Sequence, residues 1–407
     1  TVEVAATGEA TLIAEIARMV AAAEAGRNRY TRLADRAARL YSPTVHLAAL
    51  ATFIGWSLAG LPGREALMIA ASVLIITCPC ALGLAVPAVQ AAIGGRLFRR
   101  AVFVKDGTAL ERLSEADCVV FDKTGTLTTG RPELAGMPAD PEVRAAALAF
   151  AEASRHPYAR AIAEALRAAG VTPAAVTGLA EHPGAGVEGR LGSRRLRFGR
   201  AAWCGAEGGT GAEVWLTGLG APLVFRLADR LKPDAAETVA ALKRRGLRVL
   251  LFSGDAPEAV REAAEAAGIA EWRAGMTPQE KLTALRTLAR EGWRVAMVGD
   301  GINDAPALAA AHVSISPASA TDIARTAADY VIPAGQLRPV RLCHEQARLA
   351  RRRALENFAL AALYNLVAIP VAVAGHVTPL VAALAMAGSS ILVTLNALRP
   401  GRAGDRS

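Results

Sequence analysis

Four apolar stretches divide the chain into membrane-like and soluble-like parts. Each is close to the roughly 20 residues that a helix needs to cross a bilayer. The links within the first pair and within the last pair are short and carry little positive charge, which predicts two hairpins with all longer segments on the cytosolic side. The stretches are residues 43–59, 66–89, 357–374 and 377–398, and the links are residues 60–65 and 375–376.

Composition and charge support this division. Of the 407 residues, 53% are hydrophobic, which is too apolar for a wholly soluble chain. The formal net charge is +9, but the basic residues cluster beside the apolar stretches and do not alternate with aromatic residues as they do in a nucleic-acid interface. We therefore expect a lipid bilayer as a partner and no nucleic acid. The clusters are Arg27, Arg29, Arg32, Arg36 and Arg39, then Arg96, Arg99, Arg100 and Lys105, then Arg348, Arg351, Arg352 and Arg353.

The segment between the two apolar pairs alternates strand-like and helix-like patterns. Short apolar runs end in polar loops, and helical patterns separate the later runs, which predicts a doubly wound parallel sheet. Residues 131–226 break this alternation, so we interpret them as a second domain inserted after the first strand. The predicted strands are residues 119–122, 248–254 and 294–299, and the predicted helices are residues 233–245, 257–267 and 278–290.

Carboxylates follow two of these strands. Asp122 directly ends the first strand, where a carboxylate can attack a γ-phosphoryl group and hold it as an acyl phosphate. Asp300 and Asp304 follow a later strand and can hold Mg²⁺. Lys281 and Ser253 can contact the phosphoryl oxygens. Such a set also suits a soluble phosphatase or phosphotransferase, although the membrane hairpins and the inserted domain argue against that alternative.

A Cys-Pro-Cys sequence, residues 78–80, lies in the middle of the second apolar stretch. In an unbroken helix, residues i and i+2 point about 200° apart, so Cys78 and Cys80 could not share a ligand. Pro79 removes a hydrogen bond and opens the helix, which lets both sulfurs converge on one metal ion. Thiolates suit Cu(I) and also Zn²⁺ or Cd²⁺.

The last two apolar stretches favour the monovalent ion. Residues 357–398 contain no Asp, Glu, Lys or Arg, whereas a divalent cargo would call for an added charge. Two thiolates neutralise Cu(I) without further help. The candidate additional ligands are Tyr364 and Asn365 in one helix and Met386 and Ser390 in the other, where Met386 and Ser390 share a face.

The chain resembles the P-type ATPase family. The resemblance rests on the sequence Asp-Lys-Thr-Gly-Thr-Leu-Thr from Asp122, the Ser-Gly-Asp loop 253–255, Lys281 and the Gly-Asp-Gly-Ile-Asn-Asp-Ala-Pro sequence 299–306. It implies a haloacid-dehalogenase-like phosphorylation domain and an inserted α+β domain that binds ATP. It also places Lys123 and Thr124 in the catalytic site, with Thr124 assisting the Mg²⁺ site.

The resemblance further implies which residues bind the nucleotide. His156, Pro157, Gly184 and Gly186 match the family's His-Pro dipeptide and glycine loop, and Asp255 joins them. Heavy-metal pumps often carry Glu before that histidine, whereas this chain has Arg155.

The finer resemblance is to the copper subgroup of heavy-metal P-type ATPases, which pairs Cys-Pro-Cys with Tyr-Asn and Met-x-x-Ser-Ser. Zinc pumps of the family typically carry a Lys and an Asp in these helices, and a zinc or cadmium pump remains the alternative. Residues 33–112 look like the bacterial copper pumps that serve assembly of cbb3-type cytochrome oxidase. This implies copper export across the bacterial inner membrane, cytosolic catalytic domains, and a copper chaperone and an envelope copper acceptor as partners.

The expected organisation follows from these assignments. The chain is expected to correspond to the second half of a full-length pump, and this half alone is not expected to complete the cycle. Thr7-Gly8-Glu9 resembles the family's dephosphorylating loop. We interpret it as a chance match, because the residues directly after it are expected to form the helix that leads to the membrane. Cys118, Cys204 and Cys343 are expected to be buried or inert. The predicted segments are a domain tail and lead-in helix (1–40), two membrane helices (41–95), the phosphorylation domain (96–130 and 228–350), the nucleotide-binding domain (131–227), two further membrane helices (351–400) and a tail (401–407).

Overall fold

The computed structural model describes residues 33–77, 80–105, 107–207 and 212–399. The Thr-Gly-Glu sequence at residues 7–9 lies outside these ranges. The helices are α1 Leu33–Leu58, α2 Gly63–Ile76, α3 Cys80–Phe98, α4 Gly107–Glu115, α5 Pro141–Glu152, α6 Pro157–Ala168, α7 Ala201–Cys204, α8 Ala235–Arg244, α9 Pro257–Ala267, α10 Pro278–Arg290, α11 Ala305–Ala310, α12 Asp322–Ala327, α13 Arg338–Val373 and α14 Pro379–Leu398. The strands are β1 Phe103–Val104, β2 Cys118–Asp122, β3 Thr128–Leu134, β4 Thr177–His182, β5 Gly186–Leu191, β6 Arg194–Gly199, β7 Glu213–Thr217, β8 Leu223–Leu231, β9 Arg248–Phe252, β10 Glu271–Arg273, β11 Val295–Val298, β12 Val313–Pro317 and β13 Tyr330–Ile332.

A seven-stranded sheet carries the candidate site. Its order is β1-β13-β12-β11-β2-β9-β10, with β1 antiparallel at one edge and the other pairs parallel. The doubly wound parallel sheet predicted from the sequence is confirmed. Because parallel strands are covered on both faces, their side chains enter two cores. Val119 and Phe121 of β2 enter one, and Cys118 and Val120 enter the other.

The insertion between β2 and β9 is a six-stranded antiparallel sheet, ordered β3-β8-β7-β6-β5-β4. Its core combines one face of the sheet with α5 and α6, including Phe150, Phe198 and Phe225. The chain enters through β3 and leaves through β8, which pair with each other. Both connections to the larger sheet therefore lie side by side, next to the end of β2.

Two of the four predicted membrane helices are confirmed as long and apolar enough to span a bilayer: α13 and α14, of 36 and 20 residues. Only 17% of each apolar window is buried, whereas the core helix of a soluble protein would be mostly buried. Exposed leucines such as Leu366 and Leu380 give these helices a surface suited to lipid. The other apolar helical stretches, Pro43–Leu58 and Gly83–Phe98, are shorter.

The predicted second span, residues 66–89, is not one continuous helix. Helix α2 ends at Ile76 and α3 begins at Cys80. The Thr77 N–H and hydroxyl both donate to the Val73 carbonyl, which closes the end of α2. The boundary falls beside Pro79, the residue expected to interrupt a helix because it has no N–H and its ring clashes with the preceding turn.

Helix α13 links the large sheet to the membrane-like helices without a break. It begins near the sheet, where the Asp234 carboxylate accepts the N–H groups of Leu337 and Arg338. At 36 residues it is about 54 Å long. Its first half is basic and contacts the sheet core through Cys343 and Ala347. The apolar stretch that begins at residue 357 is thus the second half of a longer helix.

Candidate functional site

The predicted nucleophile ends β2, an interior strand of the large sheet that lies between β11 and β9. Asp122 pairs with Phe252 at the end of β9, and Phe121 pairs with Val298 at the end of β11. The loops that follow these three strands therefore meet at the carboxyl edge of the sheet, where doubly wound folds bind ligands. The Asp122 carboxyl is only 5% exposed.

A wide turn, Lys123–Leu127, follows Asp122 and depends on a glycine. Gly125 has φ +72°, a left-handed conformation that side chains disfavour. A Cβ at this position would lie 1.7 Å from Asp300 Oδ2, so no side chain fits. The glycine therefore lets the turn after β2 close directly onto the loop after β11.

Three carboxylates gather at this junction. One oxygen each from Asp122, Asp300 and Asp304 lies within 4.8 Å of the others. Carboxylate oxygens are the ligands that Mg²⁺ prefers, and a cation would offset the repulsion among three close negative groups. The residues therefore fit a Mg²⁺ ion, and Thr124 lies on the adjoining turn.

Lys281 is the cation that the structure itself supplies. Its ammonium lies 2.5 Å from Asp122 Oδ1 and 2.7 Å from Asp304 Oδ1, and the residue is 4% exposed. It stands in the first turn of α10, which begins with a capping box between Thr277 and Glu280. The cap fixes the start of the helix, and with it the position of the Lys281 side chain.

The environment changes the protonation of these groups. Burial, with the nearby Asp304 carboxylate, raises the pKa of Asp122, although the Lys281 ammonium acts in the opposite direction. Burial and Asp304 likewise raise the pKa of Asp300 to about 6. Crowded carboxylates with little solvent gain most from a bound dication, because its charge favours their ionised forms.

A second cluster lies beside the first. Asp255 Oδ2 is 2.5 Å from Lys123 Nζ and accepts a hydrogen bond from Thr124 Oγ1 at 3.1 Å. Burial raises the pKa of Asp255, but these partners outweigh it and the net direction is downward. Ser253, buried at the end of β9, accepts the Asp255 N–H through its hydroxyl. Asp255, which was grouped with the nucleotide-binding residues from sequence, thus contacts the turn that follows Asp122.

Two site residues were missed from the sequence. Lys232 is 4% exposed and donates to the Gly125 carbonyl at 3.1 Å. Asp229 accepts the Gly130 N–H at 3.0 Å and the Thr128 hydroxyl. Lys232 therefore holds the turn after β2, and Asp229 holds the start of β3, both from the end of β8. The sequence did contain one signal for them: Asp229 and Lys232 are an acidic and a basic residue, three positions apart, at the point where the insertion rejoins the large sheet.

The inserted domain holds a cavity of 630 Å³. Its lining includes His156, Gly184 and Gly186 from the predicted nucleotide set, with Tyr158 and His182 beside them. Pro157 opens α6, and the preceding His156 caps that helix by accepting the Tyr158 N–H. This volume and its aromatic lining suit a ligand of nucleotide size.

Position 186, which lines this cavity, requires glycine. A Cβ at Gly186 would lie 2.3 Å from the Phe198 carbonyl oxygen, because β5 and β6 approach closely there. His182 adds a second imidazole, 3.3 Å from Glu188 and 5.4 Å from the Trp203 ring centroid.

The predicted copper ligands are only partly described. Cys78 and Pro79 lie outside the described residues, as does the side chain of Cys80, whose backbone begins α3. Tyr364 is half-buried and packs against the cluster at the end of α2. The remaining candidates, Asn365, Met386 and Ser390, are half-buried on α13 and α14.

The three cysteines outside the apolar stretches are buried, as predicted. Cys118, Cys204 and Cys343 are all buried and free. Burial raises the pKa of the Cys118 thiol to about 12, so it stays protonated and unreactive at neutral pH.

Comparison with known proteins gives consistent relatives. Residues 116–312 match the haloacid dehalogenase-like hydrolase family. The chain is 47% identical to the nitrogen fixation protein FixI of Bradyrhizobium diazoefficiens and 40% identical to the copper-exporting P-type ATPase of Mycobacterium tuberculosis. Each alignment covers 98% of this chain and 55% or 54% of the relative, so the chain spans about half the length of these relatives.

Comparison with a solved structure shows that the similarity includes the three-dimensional arrangement of the helices and strands. The crystal structure of a zinc-transporting PIB-type ATPase in the E2.Pi state superposes with a TM-score of 0.88 at 30% identity, covering 98% of this chain and 68% of that one. The agreement includes the helices as well as both sheets, because almost the whole chain is covered.

Proposed function

The chain belongs to the PIB-type ATPases, the heavy-metal branch of the P-type family, and we propose that it serves ATP-driven export of copper(I) through a phosphate carried on Asp122. The observation that carries this proposal is the pairing of Asp122 with Lys281 at the carboxyl edge of the sheet, together with last helices that contain no charged residue from 357 to 398.

In the proposed phosphoryl transfer, an Asp122 carboxylate oxygen attacks the γ-phosphorus of ATP. A bond forms between that oxygen and phosphorus, the bond to the bridging oxygen breaks, and ADP leaves. Lys281 neutralises charge on the oxygens around the phosphorus. Asp122, Asp300 and Asp304, with Thr124, would hold Mg²⁺, which supplies charge neutralisation when bound. Water later cleaves the acyl phosphate and releases inorganic phosphate.

The inserted domain is proposed to hold the rest of the nucleotide. His156 and the glycines 184 and 186 border a cavity large enough for a purine and its ribose. The two connections through β3 and β8 lie next to the wide turn after Asp122. A bound nucleotide can therefore bring its phosphates to the carboxylates by a movement of the inserted domain about this pair of strands.

The cargo assignment follows from the softness of the ligands. The thiolates of Cys78 and Cys80 are soft donors that suit Cu(I) and also Zn²⁺, so the ligands on the other helices decide between the two ions. Met386 offers a thioether, a soft ligand that suits Cu(I), one turn from Ser390. Tyr364 and Asn365 complete the proposed ligand set on α13.

Zinc is the competing cargo, because a solved structure with a TM-score of 0.88 is of a zinc-transporting protein. Zn²⁺ sites in proteins are almost always completed to four ligands by Cys, His, Asp or Glu side chains. Since the apolar segments of α13 and α14 offer no carboxylate and no thiol, but do offer the Met386 thioether, we favour copper.

The physiological role is proposed to be supply rather than detoxification. The resemblance of residues 33–112 to pumps for cbb3-type oxidase assembly supports this role, and so does the higher identity to the nitrogen-fixation relative than to the copper-exporting one. A cytosolic copper chaperone and an envelope copper acceptor are the corresponding partners. The basic clusters flanking the helices support placement in the bacterial inner membrane with both sheets in the cytosol.

The test is ATP hydrolysis by the complete protein in lipid, titrated with buffered Cu(I) and with Zn²⁺. We expect Cu(I) alone to stimulate hydrolysis, and Cys80→Ser to abolish the stimulation. Cys204→Ser is the matched control, since Cys204 is a buried cysteine in the inserted domain. Equal stimulation by Zn²⁺ would overturn the copper assignment, whereas stimulation that survives in Asp122→Asn would overturn the phosphoenzyme.

A further inference from the structure

Three membrane-facing helices are joined by hydrogen bonds through two asparagines. Asn357 of α13 donates through Nδ2 to the Ala85 carbonyl of α3 at 3.1 Å. Its Oδ1 accepts a hydrogen bond from Asn396 Nδ2 of α14 at 2.8 Å. We call these three residues the asparagine layer. It connects the helix that begins at Cys80 to both helices that carry the other proposed copper ligands.

Asn357 is buried in apolar surroundings, whereas Asn396 is half-buried and also donates to the Glu356 carboxylate at 3.4 Å. Asn357 is 0% exposed, and Ala85, Ala361 and Val393 form an apolar cluster on the same three helices. An amide in such a place is unfavourable unless its polar atoms have partners. Both ends of the Asn357 amide are bonded, so its position is determined by α3 on one side and by α14 on the other.

Charged side chains next to the asparagine layer also connect these helices. Arg96 of α3 donates to the carbonyls of Leu398 and Arg399 at the end of α14, at 2.9 Å each. Glu356 of α13 pairs with Arg353 at 2.8 Å and with Arg399 at 3.3 Å. These charged side chains and the asparagine amides thus join the same three helices at the same level.

Helix geometry sets the distance from the layer to the copper ligands. Tyr364 follows Asn357 by seven residues, which is two turns on the same face and about 10 Å. Ala85 follows Cys80 by five residues, and Ser390 precedes Asn396 by six, which correspond to rises of about 8 Å and 9 Å. The layer therefore lies about one and a half to two turns from Cys80, Ser390 and Tyr364, and Met386 lies about one turn farther from it than Ser390 does.

We propose that Asn357 is a positioning residue for the metal site, which sets the register of the Cys80 helix against the helices that carry Tyr364 and Met386. The inference rests on the proposed function. A metal held by ligands from three helices tolerates little relative sliding, since ligand geometry must hold to within about 0.5 Å. A single hydrogen bond between membrane helices contributes modestly to stability. Loss of Asn357 should therefore weaken metal activation far more than it weakens the fold.

The experiment compares Asn357→Ala, Asn396→Ala and Val393→Ala in the complete protein in lipid. Three quantities are measured, all with Mg²⁺ present: the Cu(I) concentration for half-maximal phosphorylation by ATP, phosphorylation by inorganic phosphate without Cu(I), and the melting temperature. Val393→Ala is the matched control because it truncates a buried neighbour of the layer without removing a hydrogen bond.

We expect Asn357→Ala to raise the half-maximal Cu(I) concentration about tenfold or more, as for residues that orient metal ligands, while phosphorylation by phosphate stays at the wild-type level. Asn396→Ala should give a smaller rise in the same direction, because the bond to Ala85 remains. Val393→Ala should leave the half-maximal concentration unchanged at a similar loss of melting temperature.

Two results would overturn the inference. One is an unchanged half-maximal concentration in Asn357→Ala; the other is an equal rise in Val393→Ala, which would reduce the layer to packing. Failure of the proposed function has a different signature, since wild-type protein would then respond to Zn²⁺ and not to Cu(I). In that case the same comparison is made on the Zn²⁺ curve, so Asn357 is still tested.

Discussion

The ammonium nitrogen of Lys281 lies 2.5 Å from Oδ1 of Asp122, and both side chains are less than a tenth exposed. The same ammonium contacts Asp304 at 2.7 Å. One cation therefore separates the nucleophile from a proposed metal ligand, in a place where water cannot screen either carboxylate. The two carboxylates in turn hold the pKa of Lys281 above its ordinary value, despite the opposing effect of burial. Lys281 is thus a permanent cation at the reacting group.

Replacing Lys281 by Met should damage both folding and chemistry. The variant leaves carboxylates buried without their partner, which costs about 3–5 kcal/mol, part of it relieved by protonation. Phosphorylation of Asp122 by ATP should fall by about 100-fold or more, because a charge near the transferred group is lost. The measurements are phosphoenzyme formation and the melting temperature.

The effect of Mg²⁺ on the melting temperature tests whether the charge of Lys281 and a bound dication act on the same carboxylates. In Lys281→Met, Mg²⁺ should raise the melting temperature more than it does in the wild type, since the dication then supplies charge that the lysine no longer provides. Lys281→Arg keeps the charge and should show the wild-type response to Mg²⁺. An identical Mg²⁺ response in Lys281→Met and the wild type would mean that the three carboxylates do not form the metal site.

Gly125→Ala should abolish phosphorylation while sparing nucleotide binding. The added Cβ would strike Asp300 Oδ2 at 1.7 Å, and the left-handed φ of +72° adds about 1–3 kcal/mol of strain. Phosphoenzyme formation should therefore drop below detection, with ATP still bound in the cavity of the inserted domain. Gly301→Ala is the control, because its Cβ would meet Asp304 Oδ2 at an ordinary 3.6 Å. Comparable losses in both variants would contradict this account.

The sequence could predict what depends on chain-local patterns. Asp122 was placed correctly at the end of a strand because apolar β-type residues precede it and a polar turn follows. Parallel topology then brings the residues after β2 and β11 together, so the meeting of Asp122, Asp300 and Asp304 needed only the order of the elements. The predicted doubly wound sheet rests on the same information.

What escaped prediction depends on contacts between distant segments. Lys232 and Asp229 belong to the returning strand of the insertion, and no local pattern shows that this strand lies against the turn after β2. Asp255 was predicted to bind the nucleotide, but the sequence did not show that it contacts Lys123 and Thr124 in the turn after Asp122. The role of Asn357 as a link between helices is likewise invisible in one helix alone.

The buried ion pair between Arg112 and Asp329 should be a main stabiliser of the junction between α4 and β13. Arg112 donates from both terminal nitrogens to Asp329, at 2.7 Å and 3.0 Å, and Asp329 also accepts the Ser314 N–H. Arg112→Met should lower stability by about 3–5 kcal/mol, because the carboxylate then remains buried without its partner. Thermal unfolding in lipid gives the comparison.

A double variant distinguishes charge from shape at this pair. Arg112→Met with Asp329→Asn removes the unpaired charge, while the amide oxygen can still accept the Ser314 N–H. It should recover at least half of the stability that the single variant loses. If the double variant is less stable than Arg112→Met alone, the loss comes from packing of the arginine and not from its charge.

His344 should make the protein sensitive to acid. The imidazole is buried in the first half of α13, with its residue 2% exposed, and neither ring nitrogen has a hydrogen-bond partner within the described part of the chain. Burial, reinforced by Arg348 and Arg245, lowers the pKa of His344 to about 4. The folded state therefore holds this histidine neutral at pH values where the unfolded chain would already be protonated.

The sign and size of the effect follow from proton linkage. Between the unfolded pKa of about 6.5 and the folded value, the unfolded state binds more protons, so stability falls as the pH falls through this window. From pH 7 to pH 5 the loss from this group is about 2 kcal/mol.

His344→Leu removes the titration and also the two unpaired nitrogens, so its melting temperature at pH 7 should equal or exceed that of the wild type. The measurement is the change in melting temperature between pH 7 and pH 5. His376→Leu serves as the control, because His376 is exposed and its replacement should leave the wild-type change intact. If His344→Leu loses as much stability on acidification as the wild type, other groups must account for the acid sensitivity, and the buried imidazole must find a proton partner that keeps its pKa near the ordinary value.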